Sequence, residues 1–312
     1  MLIIEDTDLK PGRFCSSAVT IGNFDGVHRG HRALLEKLVE RAQKTGGPGI
    51  VITFDPHPLR VLNPSRCPPM LTDFDYKAEL IGALGVDVLV RARFDRDFAA
   101  QTPEEFAAEV LGKKLGAAEV WVGPDFAFGN GREGDLGLLS KIGKKAGFAV
   151  HSFEPFLLDG ERVSSTAVRE AVGRSDFESA KRLLGRPYEI HGVVVKGRGR
   201  GKNLGFPTAN LLPRQEAVPG NGVYAAWAFT CGKRLMAAVN IGPNPTFGDG
   251  GVNIEAYLLD FEGDLYGQPL SLVFVSQLRG EVAFGSVEAL VSHIRADVAR
   301  VRETLSALAE EN

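Results

Sequence analysis

The run Gly22-Asn23-Phe24-Asp25-Gly26-Val27-His28-Arg29-Gly30-His31 sets two imidazoles three residues apart among three glycines. At the opening of a helix that spacing turns both rings the same way. Together they can offer donors or positive charge to one anion. Glycines let a ligand approach the backbone closely. A helix N-terminus adds free N–H groups and roughly half a positive charge. The chemistry this suits is the handling of a phosphate that gains charge during reaction. Ordinary surface histidines and a zinc site are the competing readings. Zinc would need a third nearby ligand, and the other four histidines carry no pairing motif.

Three further segments carry polar groups at useful spacing. In Val163-Ser164-Ser165-Thr166-Ala167-Val168-Arg169, Ser165 or Thr166 can cap a helix, and Arg169 follows about one turn later. Lys196-Gly197-Arg198-Gly199-Arg200-Gly201-Lys202-Asn203 is basic and glycine-rich. It fails the Walker pattern, because Lys196 takes the first glycine's place and Asn203 that of Ser or Thr. A phosphate-covering loop between strands fits it better than a nucleic-acid segment. The extended stretch after it holds Thr208 and Asn210, whose oxygens can share Mg²⁺ with nucleotide phosphates.

The elements that must position these residues fall into two textures. Up to about residue 185, strand-like and helix-like runs alternate. Ala18–Phe24 and Gly49–Phe54 read as buried strands, and His31–Lys44 places Leu34, Leu35, Leu38, Val39 and Ala42 at helical spacing. Helices are expected over 76–84, 103–115 and 136–146, and strands over 86–91 and 119–123. Such alternation argues an α/β unit with a parallel sheet covered on both faces. From residue 186 on, strand-like runs at 189–196, 222–231, 235–241, 252–261 and 270–278 are separated by Gly, Pro and Asn turns. They predict a small antiparallel β-barrel or sandwich, and the barrel is the expected form. A final helix after Ser286 carries the stripe Leu290, Val291, Ile294, Val298, Val301, Leu305 and Leu308, which should pack on that barrel. The domains are therefore expected at 1–185 and 186–312.

Composition narrows the function classes. The 312 residues are 44% hydrophobic and 24% charged, with 36 basic against 39 acidic side chains. Neither half has the basic surplus of a nucleic-acid module, so a small nucleotide is the expected polyanion. Cys15, Cys67 and Cys231 are scattered and show no disulfide or zinc pattern. No apolar run approaches the roughly 20 residues a membrane span needs. A cytoplasmic protein with no membrane partner is expected, and the sequence fixes no oligomeric state.

The first segment resembles the His-x-Gly-His motif of nucleotidyltransferases, in the form seen in prokaryotic bifunctional riboflavin kinase/FMN adenylyltransferases (FAD synthetases). Thr53-Phe54-Asp55-Pro56-His57-Pro58, Val122-Gly123-Pro124-Asp125-Phe126-Ala127-Phe128-Gly129 and the Ser165 segment agree in order. So do Gly201-Lys202-Asn203-Leu204-Gly205-Phe206-Pro207-Thr208-Ala209-Asn210, the segments around Tyr224 and Asn240, and Ile254-Glu255-Ala256. The resemblance implies a Rossmann-like adenylyltransferase followed by a riboflavin kinase barrel. It implies His28, His31 and Glu255 as catalytic residues, Glu255 being the kinase base. Gly22, Phe24, Asp25, Gly30, Ser165, Thr166 and Arg169 would bind ATP, and Pro56, Pro58, Asp125 and Phe128 the flavin. In the kinase Gly197, Gly201, Lys202 and Pro207 would bind ATP, with Thr208 and Asn210 on Mg²⁺. The expected reaction converts riboflavin to FMN with one ATP, and FMN to FAD with a second. Lys202 stands where Arg is usual, and Asp55 where Glu is.

Overall fold

The computed structural model describes residues 1–197, 199, 201, 204–243 and 252–310, with side chains as far as 308. The chain forms two compact units, Met1–Pro68 with Asp73–Ser165, and Pro69–Thr72 with the chain from Thr166 onward.

The first unit is built on six strands, β1 Leu2–Glu5, β2 Ser17–Ile21, β3 Gly49–Asp55, β4 Val88–Arg93, β5 Ala117–Val122 and β6 Ala149–Ser152. They lie in the order β1-β4-β3-β2-β5-β6, every neighbouring pair parallel. β2 is buried along its whole length and β3 over its first five residues, which is why both read as continuous apolar runs rather than alternating ones. Helix α1 (Arg29–Thr45) lays Leu34, Leu35, Leu38 and Ala42 on one face beside Val51 and Leu89. It ends at Gly46, whose φ of 72° lies in the left-handed region that favours glycine. The other face packs Leu111, Leu139 and Phe148 over Val19, Ile52 and Val120.

Two further helices here are α2 (Pro58–Leu62) and α3 (Phe74–Gly82). The helix expected over 103–115 opens with a Thr102/Glu105 capping box and then runs as a π-helix over Phe106–Lys114. β1, β6 and the two-stranded β7 (Leu157–Leu158) with β8 (Glu161–Arg162) go beyond the sequence expectations. β2 is flanked by β3 on one side and β5 on the other. The chain leaves it in one direction and later returns in the other. Open parallel sheets bind ligands at the carboxyl end of the strands at that switch point.

The second unit is the expected antiparallel barrel, closed by β9 Glu189–Val195, β10 Ala209–Pro213, β11 Gly222–Thr230, β12 Lys233–Pro243, β13 Val252–Leu258 and β14 Pro269–Arg279. Leu211, Tyr224, Val239, Ile254 and Leu272 fill its interior. The helices Ser165–Gly173 and Phe177–Leu184 add Val168, Ala171, Val172, Phe177, Ala180 and Leu184 to the same core. The C-terminal helix Val287–Glu310 buries Val301 and Leu305 against Ala225 and Leu259 on the outside of the barrel. Its stripe seats less completely than its pattern predicts, since Leu290, Val291 and Ile294 are half-buried and Leu308 is exposed. Asp297, at 3% exposure, ties this helix to β14 by accepting from Arg279 Nε at 3.0 Å, and it also accepts from Arg300 of its own helix at 2.7 Å. Among the described residues no helix is long and apolar enough to cross a membrane.

Candidate active sites

Beyond the carboxyl end of β2 the chain turns through Phe24, Gly26 and Val27 at φ of 48°, 80° and 39°. That region suits glycine and disfavours Phe and β-branched Val. Both are almost fully buried, so packing holds a conformation that local preference opposes. A Cβ on Gly22 would sit 3.2 Å from the Phe24 ring, and one on Gly30 would sit 3.2 Å from that of His28. The two glycines thus let aromatic rings lie against the backbone.

His28 is the N-cap of α1, and its Nδ1 accepts the His31 backbone N–H at 3.2 Å. In the neutral ring that places the proton on Nε2, a donor. The two imidazoles stack at 3.6 Å with 15° between planes, and Phe24 meets His31 edge-on at 5.2 Å. The Nδ1 atom of His31 is buried without a hydrogen-bond partner. Burial, then the charges of His28 and Lys77, hold His31 well below the ordinary histidine value. The pair therefore acts at neutral pH as hydrogen-bonding rings with His31 uncharged. The Asp25 carbonyl, at the middle of the turn, accepts the Ser165 hydroxyl at 2.9 Å. Thr166 is exposed and Arg169 half-buried. Both lie in the second unit, where Arg169 Nε donates to the Pro69 carbonyl at 2.7 Å.

Lys77, on α3, escaped the sequence reading. It is 7% exposed, and its Nζ donates to the Asn23 carbonyl at 3.2 Å and to Thr53 Oγ1 at 3.1 Å. Burial pulls its pKa down against the opposing pull of Asp25 and Asp55. The Asn23 amide lies 3.0 Å from His57 Nε2, and His57 in turn caps α2.

Of the residues expected at the flavin, Pro56 is exposed and Pro58 opens α2. Asp125 pairs with Arg162 at 2.7 Å. Phe128 is buried, stacked on the half-buried Phe126 at 5.4 Å and tilted against Phe106. Phe98 and Phe54 continue this aromatic row.

On the barrel, β10, β13 and β12 bring Asn210, Glu255 and Asn240 into cross-strand register. Their neighbours Leu211, Ile254, Ala256, Val239 and Ile241 point inward, so the three polar side chains share the outer face. Asn253, which sequence reasoning passed over, donates to Glu255 Oε1 at 3.0 Å. Gly197 and Gly201 lie close behind Asn210 and Thr208. A Cβ on Gly197 would fall 2.2 Å from Asn210 Nδ2, and one on Gly201 would fall 3.3 Å from Thr208 Oγ1. Pro207 is exposed beside them. Lys202 lies outside the described residues, as do Arg198, Arg200 and Asn203. Among the described residues, no group of three or more His, Cys, Asp or Glu is placed to hold a metal. Hydroxyl and amide oxygens are the donors available here, and they suit a hard cation that keeps phosphate and water ligands.

A switch-point α/β unit with a strained, histidine-capped turn, followed by a barrel with an aligned Asn-Glu-Asn row, defines a tandem phosphate-transfer protein. The first unit's sequence matches the FAD synthetase family over residues 11–167, and the second the riboflavin kinase family over residues 184–305. Bifunctional riboflavin kinase/FMN adenylyltransferases from Escherichia coli and Pseudomonas fluorescens are 42% and 43% identical, each alignment covering 91% of both chains. The Haemophilus influenzae counterpart is 36% identical over 90% of this chain and 92% of its own. A Streptococcus pneumoniae crystal structure described as a macrolide-efflux protein superposes with a TM-score of 0.84 at 28% identity, covering 97% and 99% of the two chains. The chain belongs to the bifunctional riboflavin kinase/FMN adenylyltransferase family.

Proposed function

We propose the following division of labour. The enzyme phosphorylates riboflavin at its 5′-hydroxyl with ATP, giving FMN and ADP, and transfers AMP from a second ATP to FMN, giving FAD and pyrophosphate. The stacked His28/His31 pair at the switch point is the observation that carries the second step.

In adenylyl transfer an FMN phosphate oxygen attacks the α-phosphorus of ATP. The bond to the bridging oxygen breaks, and pyrophosphate leaves with its charge. His28 Nε2–H and the α1 N-terminus stabilise the charge growing on the phosphates, the usual largest contribution in such reactions. Gly22, Phe24, Asp25, Gly30 and Ser165 form the ATP side, and Pro56, Pro58, Asp125 and Phe128 the flavin side. Thr166 and Arg169 keep the triphosphate role that family resemblance gives them.

In the kinase step the riboflavin hydroxyl attacks the γ-phosphorus, its proton passes to Glu255, and ADP departs. Gly197, Gly201, Lys202 and Pro207 hold the nucleotide. Thr208 and Asn210 would hold Mg²⁺, which when bound neutralises phosphate charge. The work divides at residues 185/186. We place the enzyme in the cytoplasm, in keeping with three unpaired cysteines.

One reaction tests both steps. Riboflavin, ATP and Mg²⁺ are incubated with the protein and the flavins resolved by chromatography, with FMN and then FAD expected. FMN alone contradicts the adenylyltransferase, and neither product contradicts the whole reading.

A further inference from the structure

Lys77 is a buried cation for which the two reactions above have no chemical use. Burying an ammonium group is costly unless partners compensate it. Here they are specific. Nζ donates to Thr53 Oγ1 on β3 and to the Asn23 carbonyl. Thr53 Oγ1 itself donates to that carbonyl at 3.1 Å. The Asn23 carbonyl belongs to the peptide that leads into Phe24, the first of the turn's left-handed residues. Two donors on this oxygen fix the plane of that peptide. Fixing the plane selects the Phe24 conformation that local sterics disfavour, and His28 follows four residues later.

We infer that Lys77 is a positioning residue for adenylyl transfer, its ammonium pinning the Asn23 carbonyl and so holding the turn that presents His28 and His31. The inference rests on the adenylyltransferase reading of that turn. The electrostatic surroundings agree with it. Asp73 at the start of α3, Asp25 in the turn and Asp55 at the end of β3 draw positive charge to this spot, while Arg91 on β4 opposes it. His31 faces it from α1, and the Lys77 charge is one of the causes that keep His31 unprotonated. No other cation touches the Asn23 carbonyl among the described residues.

The test compares the full-length wild type with Lys77→Met and Lys77→Gln. Methionine keeps the apolar stem and loses both hydrogen bonds and charge. Glutamine keeps a donor for the carbonyl and loses only the charge. With FMN and ATP as substrates, Lys77→Met should lower kcat by about 10²-fold through misplacement of the turn, with KM for FMN nearly unchanged. Lys77→Gln should recover most of that loss. In both variants the His31 ring, followed by NMR, should protonate at higher pH than in the wild type, because a repelling charge is gone.

Riboflavin phosphorylation by the same preparations should be unaffected. If Lys77→Met does not fold, the His31 titration compared between wild type and Lys77→Gln decides alone, protonation at higher pH in the variant being expected and identical titration overturning the inference. The inference is overturned if Lys77→Met keeps kcat near wild type, if Lys77→Gln is as impaired as Lys77→Met, or if His31 titrates identically in all three. A wild-type protein that makes no FAD from FMN overturns the adenylyltransferase reading instead, and the NMR comparison still judges the Lys77 contact.

Discussion

Glu255 has Asn210 on one neighbouring strand, Asn240 on the other, and an Asn253 side chain donating to its Oε1. As the proposed base it must accept a proton from the attacking hydroxyl. Glu255→Gln keeps the shape and removes the basic lone pair. Riboflavin phosphorylation should fall in kcat by about 10²–10⁴-fold, with KM little changed and FAD formation from FMN intact. A loss of only a few-fold contradicts the role. His31 makes a different kind of prediction. Its folded pKa lies well below 6.5, so between the two values the unfolded chain binds more protons. Stability from this source is fully present above pH 6.5 and is lost as pH falls toward the folded value. His31→Gln should flatten that slope in thermal midpoints of the first unit, and equal slopes in both proteins would contradict it. These residues were legible because strand alternation and a helix-start signal mark them locally. Lys77 was not, since its two partners lie 54 and 24 residues away and nothing in a short window marks a lysine as buried.

At the scale of elements, α1, β2 and β3 could be read because burial imposes a period or an unbroken apolar run. β1 could not, being a four-residue edge strand with three exposed residues. β10 carries the site residue Asn210 and closes the barrel; its stretch reads as extended, but five residues ending in Pro213 do not mark it as a barrel strand. The helices Ser165–Gly173 and Phe177–Leu184 show ordinary amphipathic stripes. Their membership of the barrel core depends on tertiary partners that no local pattern names. The C-terminal helix is tied to β14 by one buried acid as well as by its stripe. Removing one partner from a buried ion pair costs about 3–5 kcal/mol, so Asp297→Ala should sharply lower the melting temperature of the second unit. FAD synthesis from added FMN should survive. An unchanged melting profile would mean that Val301 and Leu305 alone anchor the helix.

For the whole molecule, two compact units each have a core and a family match. Composition argued against a nucleic-acid module, since basic and acidic residues nearly balance at 36 and 39. The tandem order of two phosphate-transfer sites was legible because each has a motif compact in sequence. In the proposed division of labour these sites perform successive reactions on one flavin, and His28 and His31 serve only the second. The most direct measurement is the flavin product distribution from riboflavin, ATP and Mg²⁺ in wild type and in His28→Ala/His31→Ala. Loss of a single well-placed electrostatic donor costs about 10²–10³-fold, so the double variant should accumulate FMN at the wild-type rate and make almost no FAD. Undiminished FAD from the variant, or loss of FMN together with FAD, would contradict it.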